Sequence, residues 1–311
     1  MAAGREAQAV KTIRTIWKHR ELVVLSLPGV LFLLVFSYIP LYGIVLPFKN
    51  FRYDLGFWKS PWVGFRNFAF LFGSDNAWRI TRNTVLLNLA FILVMTGVAL
   101  AFALMLFEVR RRSVRAYQTA MFLPYFLSWV VVSYIFLALL DMDRGLANRI
   151  LEALGAEPRL WYNDPGPWPL LLLLANTWKG AGYSAIIYYA GLMNIDREYY
   201  EAAEIDGATR FQQIRKISIP LLSPLITILF LLAIGRILYG NFDLFYNLTR
   251  NSTLLYPATD VIDTFVYRAL RVTGDIGMSS AAGIYQSVVG FFIVLAANLV
   301  VRRIHPENSL F

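Results

Sequence analysis

Long uncharged apolar blocks dominate this sequence, and they constrain its fold more than any other feature. Of its 311 residues, 58% are hydrophobic and only 16% are charged, whereas soluble domains carry about a quarter charged residues. A bilayer core about 30 Å thick is crossed by roughly 20 apolar residues in a helix. The blocks are too long for the strands of a membrane barrel and lack their alternation. The sequence therefore predicts an all-α, polytopic membrane protein.

Six blocks reach the length of a membrane-spanning helix. The predicted spans, in chain order, are 22–48, 84–107, 120–140, 168–195, 217–240 and 279–301. Charged residues interrupt only the fourth span, at Lys179, and the fifth, at Arg236. The first span is too long for the apolar region of a cleaved signal peptide and has no small-residue cleavage site. We therefore expect a six-helix membrane domain, 22–301, between tails at 1–21 and 302–311.

Basic residues indicate the orientation of these spans, because cytoplasmic loops carry an excess of Lys and Arg. An even number of spans places both tails on one side. The tails and the loops 108–119 and 196–216 carry 15 basic residues in 64 positions, against 12 in 100 positions on the other side. We therefore expect both termini in the cytoplasm. Loop 49–83 opposes this bias, and its apolar run 64–72 suggests a helix lying on the outer face.

Several chemistries are absent from the sequence. There is no cysteine, and the two histidines, His19 and His305, lie near the ends. There is neither an HExxH pair nor a GxxxxGK[ST] phosphate loop. The spans contain no paired carboxylates or histidines, which a membrane-embedded enzyme would need. We predict no catalytic residue, metal or cofactor on this chain, and we attribute the net charge of +9 to cytoplasmic anchoring rather than to nucleic-acid binding.

The loop after the fourth span is polar, charged and prone to form helix. Asp196 is a suitable N-cap for a short helix that begins at Arg197. Gly207 interrupts this helix, where a positive φ or a close approach is needed. A second short helix should follow, and Pro220 suits the first turn of the next span. Such short helices are marginal alone in water, so the protein surface, the lipid or a soluble partner should cover them.

This loop resembles the EAA loop of permease subunits in binding-protein-dependent ABC importers. The matching residues are EAA at 201–203, Gly207, and ISIP at 217–220, with Ile219 where leucine is usual. The resemblance implies a type I ABC importer permease fold in the bacterial cytoplasmic membrane. It also implies ABC ATPase subunits that carry ATP and Mg, a second permease subunit and an extracellular or periplasmic solute-binding protein.

The resemblance assigns the segment 196–220 to coupling with the ATPase. Glu201 is implied to pair with a basic residue of that partner, although Arg197, four residues earlier, is an alternative. The implied coupling residues are Glu201, Ala202, Ala203, Asp206, Gly207, Phe211, Ile217 and Pro220.

The substrate class is also suggested by resemblance. FLPYFLSWVVVSYIF at 122–136, NTWKGAGYSAIIYYAGL at 176–192 and DVIDTFVYR at 260–268 resemble permeases for oligosaccharides and polysaccharide fragments, and the maltose-transporter subunits. Sugars are held by aromatic faces and hydrogen-bonding side chains, although Trp and Tyr are also common at membrane interfaces. The predicted substrate-path residues are Trp129, Asn176, Trp178, Lys179, Tyr183, Asn241, Tyr285 and Gln286.

Lys179 is the most informative of these residues. A lysine at the centre of a span costs about 2.5–3.5 kcal/mol on insertion scales. It therefore either lines the substrate path or pairs with a carboxylate, and the sequence leaves both possibilities open. Arg236 lies near the outer end of its predicted span, where we expect it to reach the interface.

Other functions also remain open. A permease for a polyamine, a peptide or a metal complex would share the 201–220 pattern. A polyamine path should be rich in acidic residues, whereas the embedded residues here are basic. A channel or a membrane scaffold would leave the 201–220 pattern without explanation.

Overall fold

The computed structural model describes residues 18–73 and 75–304, most of which are helical. Most of the predicted cytoplasmic tails, including Arg5, Lys11, Arg14 and His305, lies outside the described residues. Within the described ranges the only isolated β-bridge joins Lys49 and Trp62. The prediction of an all-α protein is therefore confirmed. The chain divides into two compact units, Met1–Asn67 and Phe68–Phe311.

The first unit contains the first predicted span. Helix α1 covers Arg20–Leu33 and continues as a π-helical turn at Leu34–Tyr38 and a 3-10 helix at Ile39–Phe48. This continuous run is long and apolar enough to cross a membrane, and none of its most apolar window is buried inside the protein. The prolines at 40 and 47 lack an N–H and so cannot donate a regular α-helical hydrogen bond. Changes from α-helix to π-helix or 3-10 helix are common where such a bond is missing.

A buried lysine organises the loop that follows. Lys49 is 3% exposed, and its Nζ donates to the carbonyl oxygens of Phe57 at 2.8 Å and Trp58 at 3.2 Å. The same Nζ lies 5.2 Å from the ring centroid of Trp62. The loop contains α2, Gly56–Lys59, and a 3-10 helix, Gly64–Phe68. The predicted helix at 64–72 is thus partly 3-10, and its location at the outer face stays a prediction.

The second unit is an assembly of helices. They are α3 (Ala69–Gly73), α4 (Asp75–Glu108), α5 (Arg111–Phe122), α6 (Trp129–Leu139), α7 (Leu146–Ala153), α8 (Trp168–Met193), α9 (Arg197–Ile205), α10 (Arg210–Gln213), α11 (Ile219–Ile234), α12 (Phe242–Leu248), α13 (Tyr256–Thr259), α14 (Ile262–Arg268) and α15 (Ile276–Ile304). The long helices α4 and α8 form the most extensive helix pair. Gly182 of α8 permits close packing, since a Cβ there would clash with the Met121 carbonyl oxygen.

The third predicted span, 120–140, is not one straight helix. A 3-10 turn at Leu123–Phe126 ends α5, and α6 then departs at 91°. Pro124 cannot continue the hydrogen-bond pattern of α5, and the Ser128 side chain caps α6 by accepting from the Val131 N–H at 3.3 Å. The single-helix prediction for this segment is therefore wrong.

Four described helices are long and apolar enough to cross a membrane, or up to five if the bent pair is one span. They are Arg20–Phe48, Asn76–Glu108, Arg210–Ile234 and Ile276–Arg303. Helix α8 is not among them, although its 26 residues reach about 39 Å at 1.5 Å per residue. Asn176 and Lys179 lower its hydropathy, and many of its small and apolar side chains are buried inside the unit.

The fifth predicted span, 217–240, is shifted toward the N-terminus. The continuous helix begins at Arg210 and ends at Ile234. A π-helical turn at Ile214–Ser218 joins α10 to α11, and the Ile219 N–H donates to the Ile214 carbonyl. This wider turn accommodates Pro220, which has no N–H to donate. The predicted second short helix is therefore continuous with the span.

A non-helical joint at 235–241 follows α11, and distant side chains hold it. Asn88 Nδ2 donates to the Ile237 carbonyl, and Gln286 Nε2 donates to the Leu238 carbonyl, both at 2.7 Å. The Gly240 N–H donates to Asp263 Oδ2 at 2.6 Å. These bonds satisfy backbone groups that would otherwise be buried without partners, which explains how a helix can end here.

Candidate functional site

The polar loop after α8 folds largely as its residue types predict. Asp196 Oδ1 accepts from the Glu198 N–H at 3.1 Å, which confirms the predicted N-cap of α9. Gly207 has φ +75°, and a Cβ at this position would meet no heavy atom within 4 Å. The left-handed backbone, rather than close packing, therefore requires glycine. Thr209 then starts the next helix with a capping box that includes Gln212.

One face of this loop presents apolar side chains to the surroundings. Ile205 is 87% exposed and Phe211 is 71% exposed. Glu201, Ala202 and Asp206 are also exposed, whereas Ala203 is half-buried. We call Glu201–Phe211 the coupling surface. The described protein therefore leaves its two large apolar side chains mostly uncovered.

The opposite face of α9 is anchored to the unit. Tyr200 is buried, its hydroxyl lies 3.0 Å from Ser218 Oγ, and its ring centroid lies 5.4 Å from that of Phe107. Arg210 pairs with Glu204 at 2.9 Å and with Glu108, at the end of α4, at 3.7 Å. The coupling surface is therefore connected to α4 and to the start of α11.

Sequence reasoning missed these anchoring residues. Tyr200 and Arg210 were not among the predicted site residues, and Glu108 is distant along the chain. Only the amphipathic alternation of α9, with Tyr200 opposite the exposed Ile205, could have indicated a buried face.

Glu201 lines a groove of about 410 Å³ that also includes Arg197, Glu204 and Arg210. Among the side chains that the structure describes, no basic nitrogen lies within 4.0 Å of the Glu201 carboxylate. The alternative pair with Arg197 is thus not formed. Ile217, half-buried, and Pro220, exposed, lie at the base of the loop, where the chain enters α11.

A second cluster surrounds Lys179 in α8. Lys179 Nζ donates to the Tyr125 carbonyl at 2.8 Å and lies 5.2 Å from the ring centroids of Tyr125 and Trp129. Tyr125 in turn stacks on Tyr183, with 4.6 Å between centroids and an interplanar angle of 10°. We call Tyr125, Trp129, Lys179 and Tyr183 the lysine cluster.

The surroundings of Lys179 bear on the two roles that the sequence leaves open, which are lining the substrate path and pairing with a carboxylate. In the part of the chain that is described, no carboxylate oxygen lies within 4.0 Å of its Nζ. Its partners are a carbonyl left free where α5 ends and two aromatic faces, which attract a cation. Tyr125 was missed by sequence reasoning, because its role depends on the unpredicted bend after α5.

The other predicted substrate-path residues are dispersed. Trp178 is 47% exposed, and Asn176 lines a separate cavity of about 290 Å³. Asn241 Oδ1 caps α12 by accepting from the Leu244 N–H at 3.2 Å. Tyr285 packs against an apolar cluster, and Gln286 holds the joint at 235–241. The structure therefore brings together Trp129, Lys179 and Tyr183 of the predicted set.

The family model described as "Binding-protein-dependent transport system inner membrane component" matches residues 94–306. This chain belongs to that family. It is thus a multi-pass inner-membrane permease component. The match includes the coupling surface, the lysine cluster and the joint at 235–241, so the geometry described above lies within the family's own region.

Two curated relatives come from Bacillus subtilis (strain 168). Protein LplB is 33% identical over 94% of this chain and 91% of its own length. The polygalacturonan/rhamnogalacturonan transport system permease protein YteP is 33% identical over 94% of this chain and 90% of its own length.

A solved structure has the same fold. A chain of a bacterial ABC transporter involved in the import of the acidic polysaccharide alginate matches with a TM-score of 0.86 and 32% identity. The match covers 95% of this permease and 99% of that chain. It supports the type I ABC importer permease fold predicted from the sequence.

Proposed function

We propose that this permease moves oligosaccharides or polysaccharide fragments across the cytoplasmic membrane by alternating access. The lysine cluster carries this proposal, because it combines aromatic faces with an embedded ammonium group beside the bend after α5. Aromatic faces bind sugar rings, and hydroxyl and ammonium groups bind sugar oxygens. The carbohydrate systems named for YteP and for the alginate transporter support the same substrate class.

The permease is a non-catalytic subunit in this proposal. The coupling surface docks on an ABC ATPase that binds ATP and Mg, and Glu201 pairs with a basic residue there. A second permease subunit completes the substrate path, and a solute-binding protein delivers the sugar. The continuous helix Arg210–Ile234 supports this arrangement, because it connects the coupling surface directly to the membrane region.

The proposed topology has six crossings, with α8 and the bent pair of α5 and α6 counted among them. Both termini and the coupling surface then face the cytoplasm. The buried face of α8 supports its inclusion, since a helix that is surrounded by protein can tolerate polar residues.

Transport by a reconstituted complex tests this function. The full permease, its partner permease, the ATPase and the binding protein would be placed in lipid vesicles, and uptake of labelled oligosaccharides would be measured. We expect uptake that requires both ATP and the binding protein. Uptake of a polyamine or a peptide, with none of a neutral or acidic oligosaccharide, would contradict the proposed substrate class.

Replacing Lys179 should impair transport more than replacing Arg236. Lys179→Ala removes the donor to the Tyr125 carbonyl and the cation between two rings, so we expect uptake to fall about tenfold, as for loss of a charged hydrogen bond. Arg236→Ala removes an exposed side chain in the joint and should leave uptake within about twofold, since exposed changes are usually mild. Equal, negligible effects on uptake would remove Lys179 from the path.

A further inference from the structure

A polar groove of about 220 Å³ lies between α6 and α12. It is beyond the end of α11 that is opposite to the coupling surface, and it shares α6 with the lysine cluster. Its polar lining consists of Ser133, Tyr134, Tyr246, Asn247, Arg250 and Asn251. Neither the family comparison nor the sequence patterns assign a role to this groove.

A strained turn forms one wall of the groove. Arg250 has φ +54° and Asn251 has φ +49°, and neither residue is glycine. Residues with a side chain rarely adopt this left-handed region, because it strains the backbone. The Ser252 N–H donates to the Thr249 carbonyl at 3.1 Å and closes the turn. Such strain persists only where the surrounding structure holds it in place.

An ion pair between a buried carboxylate and a partly buried guanidinium holds this turn. Asn251 Oδ1 accepts from the Tyr256 hydroxyl at 3.0 Å and from Arg268 at 3.2 Å. Arg268 pairs with Asp260 at 2.5 Å, and these side chains are 17% and 3% exposed. The Arg268 guanidinium also lies 4.2 Å from the Tyr256 ring centroid. The position of the turn, and hence of Arg250, is therefore fixed from the interior of the unit.

Arg250 is exposed at the groove and has no acidic partner. No carboxylate oxygen of the described side chains lies within 4.0 Å of its guanidinium. Its charge acts instead on Tyr162. Burial raises the pKa of the Tyr162 hydroxyl to about 12, and the positive charge of Arg250 partly offsets this rise. A neutral phenol cannot balance a guanidinium, so the groove holds an uncompensated positive charge.

Aromatic rings accompany this charge. Tyr134 is 63% exposed. Tyr246 is held in place by Phe242 and Tyr267, at centroid distances of 5.0 and 5.2 Å. A guanidinium binds a carboxylate through two parallel hydrogen bonds, and an aromatic face packs on the apolar face of a sugar ring. The groove thus offers both functions required to bind a sugar acid.

The groove suits a single sugar unit. Its volume is below the roughly 300–1,000 Å³ of pockets that enclose a whole small ligand. We propose that the Arg250 groove is a subsite for one carboxylate-bearing sugar unit of the transported oligosaccharide. This inference rests on the proposed function, in which the groove opens on the side where the binding protein delivers its sugar.

Binding to the assembled transporter tests the subsite. The probes are a fluorescently labelled galacturonate trisaccharide and its carboxyl-reduced, neutral counterpart, applied to the purified permease–ATPase complex without the binding protein. Arg250→Gln should weaken binding of the acidic probe about tenfold, as expected for a lost charge-assisted hydrogen bond, and should leave binding of the neutral probe unchanged. Arg271→Gln replaces an exposed arginine elsewhere in the same unit and should change neither.

Three other outcomes would overturn the subsite. Equal weakening of both probes would indicate a general structural effect. Unchanged binding of the acidic probe would show that Arg250 does not contact the carboxylate. If both probes bind normally but a separate co-purification shows weakened association of the binding protein with Arg250→Gln, the groove is a protein-docking surface. If the wild-type complex transports neutral oligosaccharides but Arg250→Gln has no selective effect, only the subsite fails, and the proposed function stands.

Discussion

Glu201→Lys should leave the permease in the membrane and reduce ATP-driven sugar uptake by at least about tenfold. Glu201 is exposed on the coupling surface, and the described protein provides no basic partner within 4.0 Å. In the proposed docked state a basic residue of the ATPase faces it. Placing lysine there opposes two like charges, which costs several kcal/mol at an interface. Uptake by vesicles and permease content of the membranes are the two measurements.

A charge reversal of the same kind elsewhere serves as the control for Glu201→Lys. Glu152 is exposed in α7, away from the coupling surface. Glu152→Lys should transport at close to the normal rate, since exposed substitutions far from a site have small effects. Normal uptake by Glu201→Lys would refute the role given to Glu201. A loss of uptake in both variants would point to net charge rather than to docking.

Asp260→Asn should destabilise the protein more than any other single change considered above. Asp260 is 3% exposed and balances the charge of Arg268, whose guanidinium would otherwise be buried without a counter-ion. Removing one member of a buried ion pair typically costs about 3–5 kcal/mol. We expect a fall of several degrees in the apparent melting temperature of the detergent-solubilised protein. We also expect weaker binding of the acidic probe, because Arg268 holds the turn that carries Arg250.

Asp164→Asn is a matched control for Asp260→Asn. Asp164 and Arg159 form an ion pair at 3.8 Å, with both side chains about half exposed. Exposed pairs contribute about 0–1 kcal/mol, so the melting temperature should hardly change. Similar melting temperatures for the two variants would show that burial of the Asp260–Arg268 pair adds nothing to stability.

The local chemistry of the chain was largely predictable from the sequence. Helix α8 begins at Trp168 as predicted, and the N-cap at Asp196 and the positive φ at Gly207 follow from the properties of single residue types. These features depend on short stretches of sequence, where side-chain shape and backbone preference act directly. The roles of the coupling residues in docking stay predictions, because they depend on another chain.

Features that depend on distant contacts could not be predicted in this way. The apolar pattern continues through the joint at 235–241, yet α11 ends at Ile234 because Asn88 and Gln286 satisfy the carbonyls beyond it. The bend after α5 lies in an equally apolar block. This bend leaves the Tyr125 carbonyl available to Lys179. Because the bend could not be predicted from the apolar pattern, the main hydrogen bond of the lysine cluster could not be predicted either.

The continuous helix Arg210–Ile234 connects the coupling surface to the joint. Its 25 residues are about 38 Å long at 1.5 Å per residue. If one end pivots by about 10°, the other end moves by roughly 7 Å, which follows from that length. The amide contacts of Asn88 and Gln286 lie near the far end, so in the proposed docked state a displacement of this size at the coupling surface would turn the helix about the joint.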